Sequence, residues 1–193
     1  VCLLTAWEDD NDSNPTLQQP TTFVLNTPAY AASAIDLATS TEIPFTWSQP
    51  DYGFPVAAQY QLQVSLNDSW TVSTDQAAAD ESGATVADYA MIEDVFSQAK
   101  GSLNAAKLAK ALQQIALWPV EAVPATQLVK VRALSVLNAD TIYSNTVDVN
   151  VVPFYVELKD AAPVLWYLVG SCIGDGSWGN SADGIGKGLI PLM

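Results

Sequence analysis

Apolar and polar residues alternate along much of this chain with a period of two, the pattern of strands that bury one face. Phe23-Val24-Leu25 leads into the turn residues Asn26-Thr27-Pro28, and Ile35 and Leu37 alternate beyond them. Ile43, Phe45 and Trp47 form a cleaner face, closed by the loop Pro50-Asp51-Tyr52-Gly53. Tyr60, Leu62 and Val64 form a third, which Val72 continues after the Asn67-Asp68 turn. Val129, Val131 and Ala133 resume the pattern. After Asn138-Ala139-Asp140 it runs through Ile142, Val147, Val149 and Val151 to Pro153. Short strands with turn signals at roughly 8–12-residue spacing predict a β-sandwich.

One stretch breaks the alternation. Residues 75–86 are polar and alanine-rich and read as a loop, and Asp88 to Ala99 read as a short helix broken at Gly101. Ser102 is a suitable N-cap. Ala105, Leu108, Leu112 and Ile115 then fall on one helical face, and Pro119 and Pro124 close the insertion. The expected fold class is an all-β sandwich with a short helical insertion between strands.

Within that frame Trp47, in phase with Ile43 and Phe45, is the core tryptophan. Tyr52 and Phe54 flank Gly53 in an exposed loop, where they cover the loop or meet a partner protein. Trp70 and Trp118, near a turn and a helix end, pack at the core edge. Arg132 reads as a surface or strand-edge charge.

A separate segment begins beyond the sandwich. Val164 to Val169 is an apolar run of strand length that stops at Gly170, and the loop from Ser171 to Asn180 is punctuated by Gly174, Gly176 and Gly179. Those glycines leave the Trp178 indole uncovered, as stacking on a sugar ring requires; the alternative is a tryptophan folded back on a core. Asp175, Ser177 and Asn180 are placed to bond hydroxyls, or are plain turn residues. Trp166 and Tyr167 point to opposite faces of a strand, so at most one meets a ligand.

At the other end, Val1 to Ala6 reads as the tail of a secretory signal peptide. Leu4-Thr5-Ala6 is what precedes the lipid-bearing cysteine of a bacterial lipoprotein box, but Trp7 stands at that position and an indole cannot carry a lipid. Cys2 is a poor substitute, because Leu3-Leu4 comes after it. Glu8 to Pro15 is an acidic run with nothing to bury, a disordered linker or an export tag. The expected organisation is a signal-peptide remnant and acidic tether over 1–20, a sandwich over 21–156, and over 157–193 a linker with the start of a second β-module truncated at Met193.

Composition then narrows the function. The 193 residues carry 7 basic and 21 acidic side chains, for a formal charge of −14. Nucleic acid and anionic lipid are poor partners for such a chain. There is no His, which removes Ser-His and Cys-His catalysis, and Cys2 and Cys172 form no ligand spacing. Carboxylates are scattered through loops, and Asp148, the most strand-like, has no evident carboxylate partner. Asp9-Asp10-Asn11-Asp12 lacks the spacing and glycine of an EF-hand. No catalytic residue, metal or cofactor is expected, and no apolar run reaches the roughly 18 residues of a membrane-spanning helix.

Several motifs together resemble a known family. Phe23-Val24-Leu25-Asn26-Thr27-Pro28, Phe45-Thr46-Trp47-Ser48-Gln49-Pro50-Asp51-Tyr52-Gly53, Tyr60-Gln61-Leu62-Gln63-Val64-Ser65, Ser102-Leu103-Asn104, Val129-Lys130-Val131-Arg132-Ala133 and Tyr143-Ser144-Asn145-Thr146-Val147 occur in that order. In order and spacing they resemble the N-terminal domain of SusE/SusF-type lipoproteins, the surface glycan-binding proteins of Bacteroidetes starch-utilisation systems. The resemblance implies an immunoglobulin- or fibronectin-III-like spacer, lipid-anchored at the outer-membrane surface and succeeded by carbohydrate-binding sandwich modules. It implies that Trp178, Trp166, Asp175 and Asn180 belong to the first such module. It also implies starch or another polysaccharide as ligand, with other Sus-like outer-membrane proteins as partners. The other reading open from sequence is an adhesin-like surface sandwich that binds proteins and no sugar.

Overall fold

The structure, a computed structural model, describes residues 16–158 and the dipeptides 167–168 and 190–191. The chain divides into two compact units, Val1–Val156 and Glu157–Met193. In chain order the described part of the first unit contains β1 (Ile35–Asp36), β2 (Glu42–Thr46), β3 (Gln59–Ser65), α1 (Thr74–Ala79), β4 (Tyr89–Phe96), β5 (Lys100–Asn104), α2 (Ala105–Ala116), β6 (Gln127–Leu137), β7 (Asp140–Tyr143) and β8 (Val147–Val152). In the second unit, β9 (Tyr167–Leu168) pairs antiparallel with β10 (Ile190–Pro191).

Two sheets make the first unit an all-β, sandwich-like domain. The larger runs β1-β8-β6-β3-β4, with β7 pairing the C-terminal half of β6. All its pairings are antiparallel except β1 with β8. The smaller pairs β2 with β5 and is widened by a bridge from Leu25 to Trp47. Ile43, Phe45 and Trp47 point inward as their spacing predicts, against Tyr60, Leu62 and Val64 of β3 and Val129, Val131 and Ala133 of β6, all buried. Each of the larger aliphatic and phenyl side chains contributes about 1.5–3 kcal/mol by leaving water. The smaller sheet is narrow, and α2 packs beside it on β3, β4 and β5. Its stripe Ala105, Leu108, Leu112 and Ile115 is buried, as the helical spacing predicts.

The polar middle of the chain departs from its sequence pattern in four places. Tyr89–Phe96 is a strand, not a helix: Val64 pairs Ala90 and Leu62 pairs Ile92, and tertiary pairing overrides the helix-forming Ala, Met and Glu. Its residue types disguise this strand, because polar Asp94 stands in the phase of Ala90, Ile92 and Phe96 while apolar Val95 is exposed. Residues 74–79 are helical rather than loop, held by a capping box in which Ser73 Oγ accepts from Gln76 N at 3.1 Å and Gln76 Oε1 accepts from Ser73 N at 2.8 Å. The N-cap of α2 is Asn104, not Ser102. Pairing of β5 with β2 keeps Ser102 extended, and Asn104 Oδ1 accepts from Ala106 and Lys107, both at 3.1 Å. Val72 does not continue β3; it lies in the loop between β3 and α1.

Gly101 leaves room for an aromatic ring of the facing sheet. A Cβ there would lie 2.7 Å from the Phe96 ring. Its absence lets that ring rest on the β5 backbone and pack on Trp47, with centroids 5.9 Å apart.

The path of the chain matters most for function. Leu17, Gln18 and Gln19 lie against Tyr52, Leu137 and Asp140, at the C-terminal end of β6. The chain then travels the length of the sandwich to β1, where Ile35 sits opposite Val151, itself opposite Gln127 at the other end of β6. β8 finishes at that same far end. The 11 residues of β6 span roughly 30 Å, so the chain comes in at one end and leaves at the other.

Candidate functional site

The outward face of the larger sheet carries the chemistry. Alternation that turns Val131 and Ala133 inward turns Arg132 outward, and register sets it opposite Gln63 of β3. Gln63 is buried, and its Oε1 accepts the Arg132 Nε–H at 2.7 Å. The guanidinium carbon lies 4.0 Å from the centroid of Trp70 and 4.1 Å from that of Tyr143, so two aromatic rings pack against the cation. Burial pushes the Arg132 pKa below its ordinary value, and the nearby Tyr143, Tyr89 and Asp68 act in the opposite direction.

Trp70 reaches this face from the loop between β3 and α1, and the loop is tied down by one carboxylate. Asp88 accepts from Ser69 Oγ (2.6 Å), from the Thr71 hydroxyl, and from the backbone N–H of Thr71 (2.9 Å) and Val72 (3.0 Å). Asp68, in the left-handed region at φ 61°, accepts from Trp70 Nε1 and Thr146 Oγ1, both at 3.0 Å and both on its Oδ1. Trp70 also packs on Tyr89, with centroids 6.0 Å apart.

Asp88 should make the hold on this loop depend on pH. Burial works against its charge, but the Ser69, Thr71 and Val72 donors outweigh it and hold the pKa at about 2 against an ordinary 3.8. The folded value is the depressed one. The stabilisation is therefore complete above the ordinary value and is lost as pH falls toward about 2. Urea midpoints of the wild type should drop across that window, and those of Asp88→Asn should drop less. Equal slopes would show that the carboxylate does not hold the loop.

Two other polar clefts lie elsewhere on the domain. One of about 300 Å³ is lined by Glu42, Asp94, Ser102, Asn104 and Lys107. Lys107 Nζ pairs with Asp94 at 2.6 Å, and Glu42 accepts from Ser102 Oγ at 2.5 Å and Asn104 Nδ2 at 3.1 Å. A second, of about 160 Å³, lies between α1, α2 and β4. Among the described residues no group of three or more His, Cys, Asp or Glu is placed to hold a metal ion.

Trp178, Trp166, Asp175 and Asn180 lie outside the described residues, as do Trp7 and the acidic run from Glu8 to Pro15. Trp47 is buried in the core. Tyr52 is also buried, and its hydroxyl lies 3.1 Å from Ser135 Oγ, so of the two roles open to it the covering one holds. Trp118 packs at the core edge as expected. Trp70 does not: it stacks on Arg132, outside the core. Arg132 itself sits on a central strand, flanked by β3 on one side and by β7 and β8 on the other. Asp148 pairs with Lys130 at 2.6 Å. Sequence reading missed the cluster of Trp70, Arg132, Tyr143 and Gln63, although the outward phase of Arg132 beside Val131 was its one visible sign.

Fold and surface together define a small two-layer β domain with a filled interior and an aromatic–guanidinium stack on one open face. Residues 9–130, more than half of the chain, match the SusE outer membrane protein family, and the chain belongs to that family. Its place is the outer membrane. No solved structure matches the chain.

Proposed function

We propose that this chain is the membrane-proximal spacer of a non-catalytic, lipid-anchored surface protein that captures starch or another glycan for a Sus-like polysaccharide utilisation system. The observation that carries this reading is the path of the chain, in at one end of the sandwich and out at the other. A domain threaded in that way is suited to a spacer, with Leu17 and the end of β8 set roughly 30 Å apart. In this reading residues 1–20 are the tether, 21–156 the immunoglobulin-like spacer, and 157–193 the first part of a carbohydrate-binding module. Trp178 and Trp166 then stack on sugar, and Asp175 and Asn180 bond its hydroxyls. Binding is weak per site and strengthened by repetition along one chain and by neighbouring Sus-like proteins.

Affinity electrophoresis in gels with and without amylopectin tests it. The protein with complete modules after residue 157 should be retarded, and the 193-residue chain should migrate freely. Unretarded migration of the longer protein across a panel of plant and microbial glycans would end the glycan reading in favour of an adhesin-like surface domain.

A further inference from the structure

We infer that the open face of the larger sheet is a second binding site on this chain, in which the Arg132 guanidinium takes the carboxylate of an acidic sugar residue, a uronate. Trp70 and Tyr143 both pack against the guanidinium, and its Nε–H is occupied by Gln63. What is left is the edge bearing the two Nη groups. Among the described residues that edge meets no carboxylate: the two ion pairs there are Lys107 with Asp94 and Lys130 with Asp148. A guanidinium so clamped has lost its side-chain freedom in advance and offers a planar fork that matches the two oxygens of a carboxylate.

Three neighbouring features favour a sugar over an acidic protein segment. Asp68 uses Oδ1 for Trp70 and Thr146, and among the described residues nothing donates to its Oδ2, which suits a sugar hydroxyl. Tyr143 is 50% exposed, with ring surface remaining for the C–H face of a pyranose. The chain carries a net charge of −14, which disfavours a dense polyanion and tolerates isolated uronates among neutral sugars. The inference rests on the reading that this domain stands among extracellular glycans, and it adds a ligand class for a face which that reading leaves idle.

The test uses the whole 193-residue chain and NMR of the Trp70 indole N–H, assigned by its absence in Trp70→Phe. A trigalacturonate should shift that signal in a saturable way. Its methyl ester and maltotriose should not. Arg132→Lys, which keeps the charge and loses the fork, should weaken binding by about tenfold or more. The inference is overturned if the ester binds as well as the acid, if a glutamate tetrapeptide or a sulfated trisaccharide binds as well as the uronate, or if Arg132→Lys lowers the unfolding temperature and leaves affinity unchanged. Should that variant fail to fold, the acid–ester comparison on the wild type still decides. Amylopectin retardation of the longer protein without uronate binding removes this inference alone, whereas failure of both removes the glycan reading as well.

Discussion

Trp47→Ala is expected to lower stability by about 3–5 kcal/mol, the range for emptying a buried aromatic site. Trp47 is 3% exposed and joins the two layers, with its ring 5.5 Å from that of Tyr60 on the facing sheet and 5.9 Å from that of Phe96. The surrounding backbone is fixed, since Trp47 N donates to Ala99 O at 3.1 Å, so the cavity cannot collapse freely. Trp47→Phe should cost much less, about 1–2 kcal/mol, because most of the site stays filled. Among the described residues its buried indole Nε1–H has no partner, and phenylalanine removes that donor along with part of the ring. Urea unfolding monitored by far-ultraviolet circular dichroism measures both. Equal losses for the two variants would mean that the indole N–H does have a partner in solution.

Asn145→Ala is expected to cost about 2–4 kcal/mol, a large effect for a residue that is itself exposed. Its side chain stands in for a neighbouring strand: Oδ1 accepts from Leu25 N at 2.9 Å, and Nδ2 donates to Leu25 O at 3.1 Å. Leu25 is 1% exposed, so truncation strands two backbone groups away from water. Asn145→Asp should be about as harmful, because it keeps one bond and turns a carboxylate oxygen toward a carbonyl. Amide exchange at Leu25 should accelerate in both variants while that of Val131, deep in β6, keeps pace only with global stability. Unchanged exchange at Leu25 would show that the bridge to Trp47 holds this segment without Asn145.

The sandwich was legible because its core strands obey a period of two with few exceptions. Ile43, Phe45 and Trp47, and Val129, Val131 and Ala133, are buried where alternation places them. The helix α2 was legible for the matching reason, a stripe of apolar residues at helical spacing. β4 was not, because its residue types do not follow its burial: Asp94 stands in the inward phase and Val95 is exposed. The site was less legible still. Arg132, Gln63, Trp70 and Tyr143 are far apart in sequence and meet through strand register, which a single chain of letters does not state. The loop that delivers Trp70 depends on Asp88, 18 positions later, whose hydrogen bonds belong to the fold and not to any local motif. The family resemblance, by contrast, was carried by the order of several weak motifs and is shown by the match over residues 9–130.

The parallel pairing of β1 with β8 has a mechanical side. Ile35 and Asp36 lie in register with Val151 and Val152, and Leu37 N donates to Val152 O at 3.1 Å. A tug on the two termini draws the first segment toward one pole and the last toward the opposite pole, along the strand axis. The bonds between them are then loaded together in shear instead of being unzipped singly.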